Sequence, residues 1–248
     1  MTITLEICVD DVEGLDRAIA GGADRIELCS ALAVGGLTPS AGLMAAAAQR
    51  AVPAYAMIRP RAGSFVFSPA EVDQMLVEID YVRSAGLAGV VLGASDTDGR
   101  LDALVLERLV RRADGLGLTL HRAFDLVPDF AQAVDLAASL GFERILTSGG
   151  AGTAITGLDA LKQIVSHAGQ RIAIMPGSGI TATNAAEIVT RLGICEIHAS
   201  GSTQRMADDP RLAELGFVPA TYKMTDTQAV AALKAILSEL STGQASAP

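Results

Sequence analysis

Residues 119–150 read TLHRAFDLVPDFAQAVDLAASLGFERILTSGG. The stretch opens on a β-prone run, Thr119 to Asp125, and turns at Pro128 and Asp129. It continues with the apolar spacing of a helix and closes that helix at Gly141. A second β-prone run, Arg144 to Ser148, follows and ends in the pair Gly149 and Gly150. A strand, a helix and a second strand in so short a span make a βαβ unit, whose strands run parallel.

The same unit recurs on both sides of this stretch. The other β-prone runs are Leu5 to Val9, Arg25 to Cys29, Ala54 to Pro60, Gly89 to Gly93, Ile172 to Met175 and Glu196 to Ser200. Eight strands alternating with helices in 248 residues favour an α/β fold, a closed (β/α)8 TIM barrel, over an open doubly wound sheet. One domain over 1–248 is expected, with Thr225 to Leu240 as the last helix and a short flexible tail over 241–248.

Half of the residues are hydrophobic and Trp is absent, so the core is aliphatic. A net charge of −9 without a basic stripe argues against nucleic acid as a partner. The opening MTITLEICVD lacks the basic and apolar regions of a signal peptide. No run approaches the roughly 20 apolar residues that span a bilayer. A cytoplasmic protein with no membrane partner is expected. Three cysteines, an odd number, suit reduced thiols better than a disulfide framework.

In such barrels the site lies where the strands end, at the C-terminal mouth. A period of two puts Glu6 and Cys8 on one inward face. It does the same for Glu27 with Cys29, for Met57 with Arg59 and Arg61, for His121 with Asp125, and for Glu196 with His198 and Ser200. Charges inside a barrel must be paired or solvated, so Glu6 and Glu27 are expected to meet Arg59 and Arg61. One reading of this set is an internal ion-pair layer that closes the barrel.

The other reading is a site for a small anionic metabolite, phosphorylated or carboxylated. Arg59 and Arg61 would hold the anion. Three turns carrying Ser148, Gly149 and Gly150, then Gly177 and Gly179, then Ser200 and Gly201, would add backbone N–H donors. His121 and Asp125 would form an acid–base pair, with Glu27 or His198 as a second acid or base. Glu27, His121, Asp125 and His198 could also take a hard divalent metal. Cys8 and Cys29 share a phase on adjacent strands. Paired thiolates suit Cu(I), with Met57 as a helping thioether, although free cysteine also serves as a small buried hydrophobe.

Longer strings carry a resemblance. They are LEICVDDVEG from Leu5, GGADRIELCSALAVGGLTPS from Gly21, MIRPRAGSFVFS from Met57, LTLHRAFD from Leu118, GFERILTSGG from Gly141, IMPGSGIT from Ile174 and EIHAS from Glu196. With these the chain resembles the CutC family of copper homeostasis proteins. The resemblance implies a TIM barrel, a homodimer or larger assembly, and a cytoplasmic protein linked to copper. It also implies Cu(I) ligation by Cys8 and Cys29. The family commonly reads RPRGGDF after the third strand, where this chain has Arg59-Pro60-Arg61-Ala62-Gly63-Ser64-Phe65. Ser64 therefore removes a carboxylate from the mouth. Copper handling and catalysis on a small metabolite both stay open at this point.

Overall fold

The computed structural model describes residues 2–243. All eight expected strands are present: β1 (Thr4–Val9), β2 (Arg25–Leu28), β3 (Ala54–Met57), β4 (Gly89–Leu92), β5 (Gly117–Leu120), β6 (Arg144–Thr147), β7 (Ala173–Pro176) and β8 (Glu196–Ala199). They form one parallel sheet in the order β7-β6-β5-β4-β3-β2-β1-β8. Strands β7 and β8 lie side by side at the closure, yet no ladder joins them among the described residues. Helices cross over between successive strands and form the outer layer, as a (β/α)8 barrel requires.

The helices start where local chemistry allows. Ser68 caps α3 (Pro69–Ala85) in a capping box with Glu71, and Pro69 takes the first helical position. Asp129 caps α5 (Phe130–Leu140), and Gly141 ends it in the left-handed region at φ +87°. The outward residues of the strands, such as Leu5, Ile7, Ile26, Leu28, Val90 and Leu92, are buried against these helices. Each such side chain contributes roughly 1.5–3 kcal/mol when fully buried. The opposite parity is thereby turned into the barrel.

Each element differs from its expected range by a residue or more, and three of these shifts are the largest. β3 stops at Met57 and β5 at Leu120, so Arg59 and His121 sit just past the strands and Asp125 falls in the 3-10 turn that follows β5. His121 ends β5 because its own Nδ1 accepts the amide of Ala123, which starts a 3-10 turn over Arg122–Leu126. At the C-terminus the last helix, α9 (Thr227–Gly243), runs past Leu240, so Ser241 to Gly243 are helical rather than tail. The remainder of the expected tail, 244–248, lies outside the described residues.

An antiparallel hairpin between β8 and α9 was not expected. It pairs β9 (Ser202–Met206) with β10 (Thr221–Thr225) and carries the short helix α8 (Pro210–Glu214). The hairpin stands beside the mouth and lends it Lys223. Among the described residues no helix is long and apolar enough to cross a membrane.

Candidate functional site

Register decides which inward side chains meet. On β1 and its two neighbours, Glu6 stands opposite Arg25 of β2 and His198 of β8, while Cys8 stands opposite Glu27. On the next pair Glu27 stands opposite Tyr55, which carries Cys29 on toward Met57. The barrel therefore staggers its polar residues in layers.

The deeper layer is an ion-pair network. Arg25 Nε donates to Glu6 Oε2 at 2.5 Å and its Nη2 to Glu196 Oε2 at 2.5 Å. Arg144 donates to Glu196 at 3.0 Å and to Thr119 Oγ1 at 3.0 Å. Both guanidinium groups lie over the ring of Tyr55, at 5.6 Å and 4.9 Å. A closing layer was one of the two expectations, but its cations are Arg25 and Arg144 rather than Arg59 and Arg61. Both arginines fall on the same parity as Glu27 and Ser148, so strand alternation alone could have found them.

Above that floor three ligand-type atoms converge. Those of Cys8, Glu27 and His198 all lie within 4.8 Å of one another, and all three residues are buried. His198 Nδ1 is held by Glu6 Oε1 at 2.8 Å, which leaves Nε2 facing Glu27 Oε2 at 3.8 Å. Burial pushes Glu6 up, but the bond from His198 and the charge of Arg25 outweigh it and hold the carboxyl at about 2. Burial pulls His198 down, and the Glu27 carboxylate and Cys8 beside it reverse this, so its pKa stands well above the usual value. Burial raises the pKa of Glu27 despite the nearby His198.

Cys29 is not in this cluster. It is fully buried and its thiol donates to Glu27 Oε2 at 3.6 Å. Shared phase put both cysteines inside the barrel, but the register places Glu27, not Cys29, beside Cys8. Burial and then Glu27 push the Cys29 thiol well up in pKa. Met57 is buried near it, in the same small apolar cluster.

The mouth opens above as a cavity of about 290 Å³. Cys8, Glu27, Arg59, His121, His198, Gly179 and Ser200 all line it, as do Phe65, Arg122, Ser178 and Lys223. The last four were not expected. Ser178 is held in the left-handed region at φ +78°, a strained setting for a residue with a Cβ, and its hydroxyl donates to Gly152 O at 2.8 Å.

Other expected site residues are engaged elsewhere. Arg61 pairs with Glu71 and donates to the carbonyls of Ser64 and Val66 at 2.9 and 2.8 Å, away from the cavity. Asp125 does not pair with His121. Its carboxylate accepts from Thr147 Oγ1 at 2.5 Å, from the amides of Ser148 and Gly150 at 3.0 Å each, and from Arg122 Nε at 2.6 Å. The turn amides of Ser148 and Gly150 are thus spent on a carboxylate of the chain itself. The Gly149 amide is spent on Thr147 Oγ1 and that of Gly177 on Thr147 O. Gly201 is buried, and its carbonyl accepts the amide of Asp226.

With this geometry in hand, relatives place the chain. The model of the CutC family matches residues 3–203. The family protein CutC of Sinorhizobium medicae (strain WSM419) is 58% identical over 96% of this chain and 97% of its own length. That of Caulobacter vibrioides (strain NA1000 / CB15N) is 52% identical over 94% and 97%. A crystal structure described as the putative copper homeostasis protein CutC from Streptococcus agalactiae superposes with a TM-score of 0.77 at 34% identity. It covers 80% of this chain, and 99% of that chain is covered. Thiamine phosphate pyrophosphorylase from Pyrococcus furiosus, at 17% identity and a TM-score of 0.60 over 96% of each chain, shares the fold alone. The chain belongs to the CutC family.

Proposed function

We propose that this protein serves copper homeostasis by holding one copper ion at the floor of the barrel mouth, with Cys8 and His198 as its ligands and Glu27 beside them. The convergence of the three ligand atoms within 4.8 Å carries this reading. A buried thiol and an imidazole suit Cu(I), whereas a carboxylate is a harder donor, so Glu27 ranks third. The hydrogen bond that His198 Nδ1 donates to Glu6 Oε1 supports the same reading, because carboxylates hold metal-binding imidazoles in this way and leave the other ring nitrogen for the ion. The name of the Streptococcus agalactiae relative and the family membership point to copper as the cargo. Three free thiols fit a reducing cytoplasm. The homodimer implied by the family resemblance belongs to the reading and is checked by light scattering on the same sample.

An anaerobic Cu(I) titration against a competing chelator tests it. Cys8→Ser and His198→Gln are expected to abolish tight one-to-one binding, and Glu6→Gln to weaken it by about 10–100-fold. Cys29→Ser is expected to leave affinity nearly unchanged. Binding should strengthen as pH rises, because the ion displaces protons from the thiol and the imidazole. Loss of binding in Cys29→Ser with none in His198→Gln would show a thiol pair instead.

A further inference from the structure

The cavity is far larger than an ion needs. A water molecule occupies about 30 Å³ and ligand pockets begin near 300 Å³, so about 290 Å³ is room for a small organic molecule. The wall of this space carries charge without a counter-charge. Arg59 is 6% exposed, and its Nη atoms donate only to the carbonyls of Val34, Gly36 and Gly63, at 2.9, 3.1 and 3.0 Å. Among the described residues no carboxylate lies within ion-pair reach of it, and its Nε has no acceptor. A buried cation left in this state is costly unless something else neutralises it.

His121 repeats the pattern. It is 3% exposed, and burial together with the charge of Arg59 lowers its pKa to about 3, so the ring is neutral. Its Nδ1 accepts the amide of Ala123, which fixes the ring proton on Nε2, and that N–H has no acceptor. Phe65 brackets the two groups, with its ring centroid 4.8 Å from the guanidinium of Arg59 and 4.8 Å from the imidazole of His121. At the rim Lys223 adds an exposed cation that forms no ion pair among the described residues. The amides of Ser178, Gly179 and Ser200 likewise find no acceptor among them.

We infer that the mouth cavity binds a small organic acid, whose carboxylate neutralises Arg59 and accepts the N–H groups of Arg59 and His121. One buried cation and two orphan donors match a singly charged group with two oxygens. Its two side chains follow β3 and β5, whereas the thiol and imidazole assigned to copper stand on β1 and β8, and it needs no ion to be complete.

The test is calorimetric titration of glycolate and pyruvate into the full chain after exhaustive chelation, with glycerol and inorganic phosphate as the other probes. A carboxylate is expected to bind and glycerol not to. His121→Phe and Arg59→Gln should each weaken the carboxylate by about tenfold or more, the loss of one charge-assisted hydrogen bond. Lys223→Met, at an exposed position, should weaken it less. If Arg59→Gln fails to fold because three carbonyls lose their donor, His121→Phe and Lys223→Met decide. The inference is overturned if neither carboxylate binds, if phosphate binds and carboxylates do not, or if folded variants bind as the wild type does. Binding that appears only after copper loading also overturns it, since the acid would then sit on the metal; failure of copper to bind leaves it untouched.

Discussion

The carboxylate of Asp125 sits in the turn that follows β6, with Oδ1 3.0 Å from the amide of Gly150. It also takes the amide of Ser148, the hydroxyl of Thr147 and the Nε of Arg122. The turn has the form of an anion nest already filled by the chain. Asp125→Ala is expected to cost about 3–5 kcal/mol, because it orphans several donors and a cation at once. Urea denaturation measures it. A loss below about 1 kcal/mol would mean that water replaces the carboxylate and that the nest is open to ligands.

Glu6 joins the ion-pair floor to the cluster above it, through Arg25 on one oxygen and His198 on the other. Glu6→Ala strips Arg25 of one of its two carboxylates inside the barrel. A destabilisation of about 3–5 kcal/mol is expected in the same assay. Glu6→Gln, which keeps the volume, should cost less. Equal stability of Glu6→Ala and wild type would show that Glu196 alone satisfies Arg25.

Acid should unfold the protein in part through His121. Its folded pKa is about 3, below the ordinary 6.5, so between those values the unfolded chain binds the extra proton. The contribution is complete above pH 6.5 and is lost as pH falls through about 3. Glu6, held at about 2, adds a loss of the same sign below pH 4.5. His198 acts oppositely: its folded pKa is raised, so its contribution is full below 6.5 and fades as pH rises through the folded value. Melting temperatures of wild type and His121→Phe from pH 7 to pH 4 check this. The wild type should fall more steeply, and parallel curves would refute the assignment.

Gly93 follows β4 directly beneath the imidazole. A Cβ there would lie 2.6 Å from His121 Cε1 and Nδ1. Gly93→Ala is expected to push the ring aside, with a cost of about 1–3 kcal/mol and weaker carboxylate binding. Wild-type calorimetry in this variant would remove His121 from the binding wall.

Periodicity along single strands was enough to place Glu6, Cys8, Glu27 and His198 inside the barrel, and all eight strands were found where apolar runs stand. Pairing was not legible in the same way. Which neighbour Cys8 meets depends on the stagger between β1 and β2, and hydrogen bonds between distant segments set that stagger. Arg59 illustrates the difficulty: alternation points it inward, but only the folded loop of Val34, Gly36 and Gly63 shows that carbonyls occupy its Nη donors. The β9–β10 hairpin, which supplies Lys223, buries Thr225 alone among its strand residues and has no apolar alternation to announce it.

Because no ladder joins β7 to β8 among the described residues, the cylinder is a rolled sheet with two free edges, kept shut by contacts between those strands and between the outer helices. Such a seam is where the wall can breathe first, and its amides should exchange with solvent ahead of those in the seven laddered pairs. Ser178 and Ser200 stand on either lip. A small acid whose carboxylate rests on Arg59 and His121 and whose other end reaches this seam would act as a clasp, so occupancy of the mouth would be readable as slowed exchange along two strands that the sequence keeps some twenty residues apart.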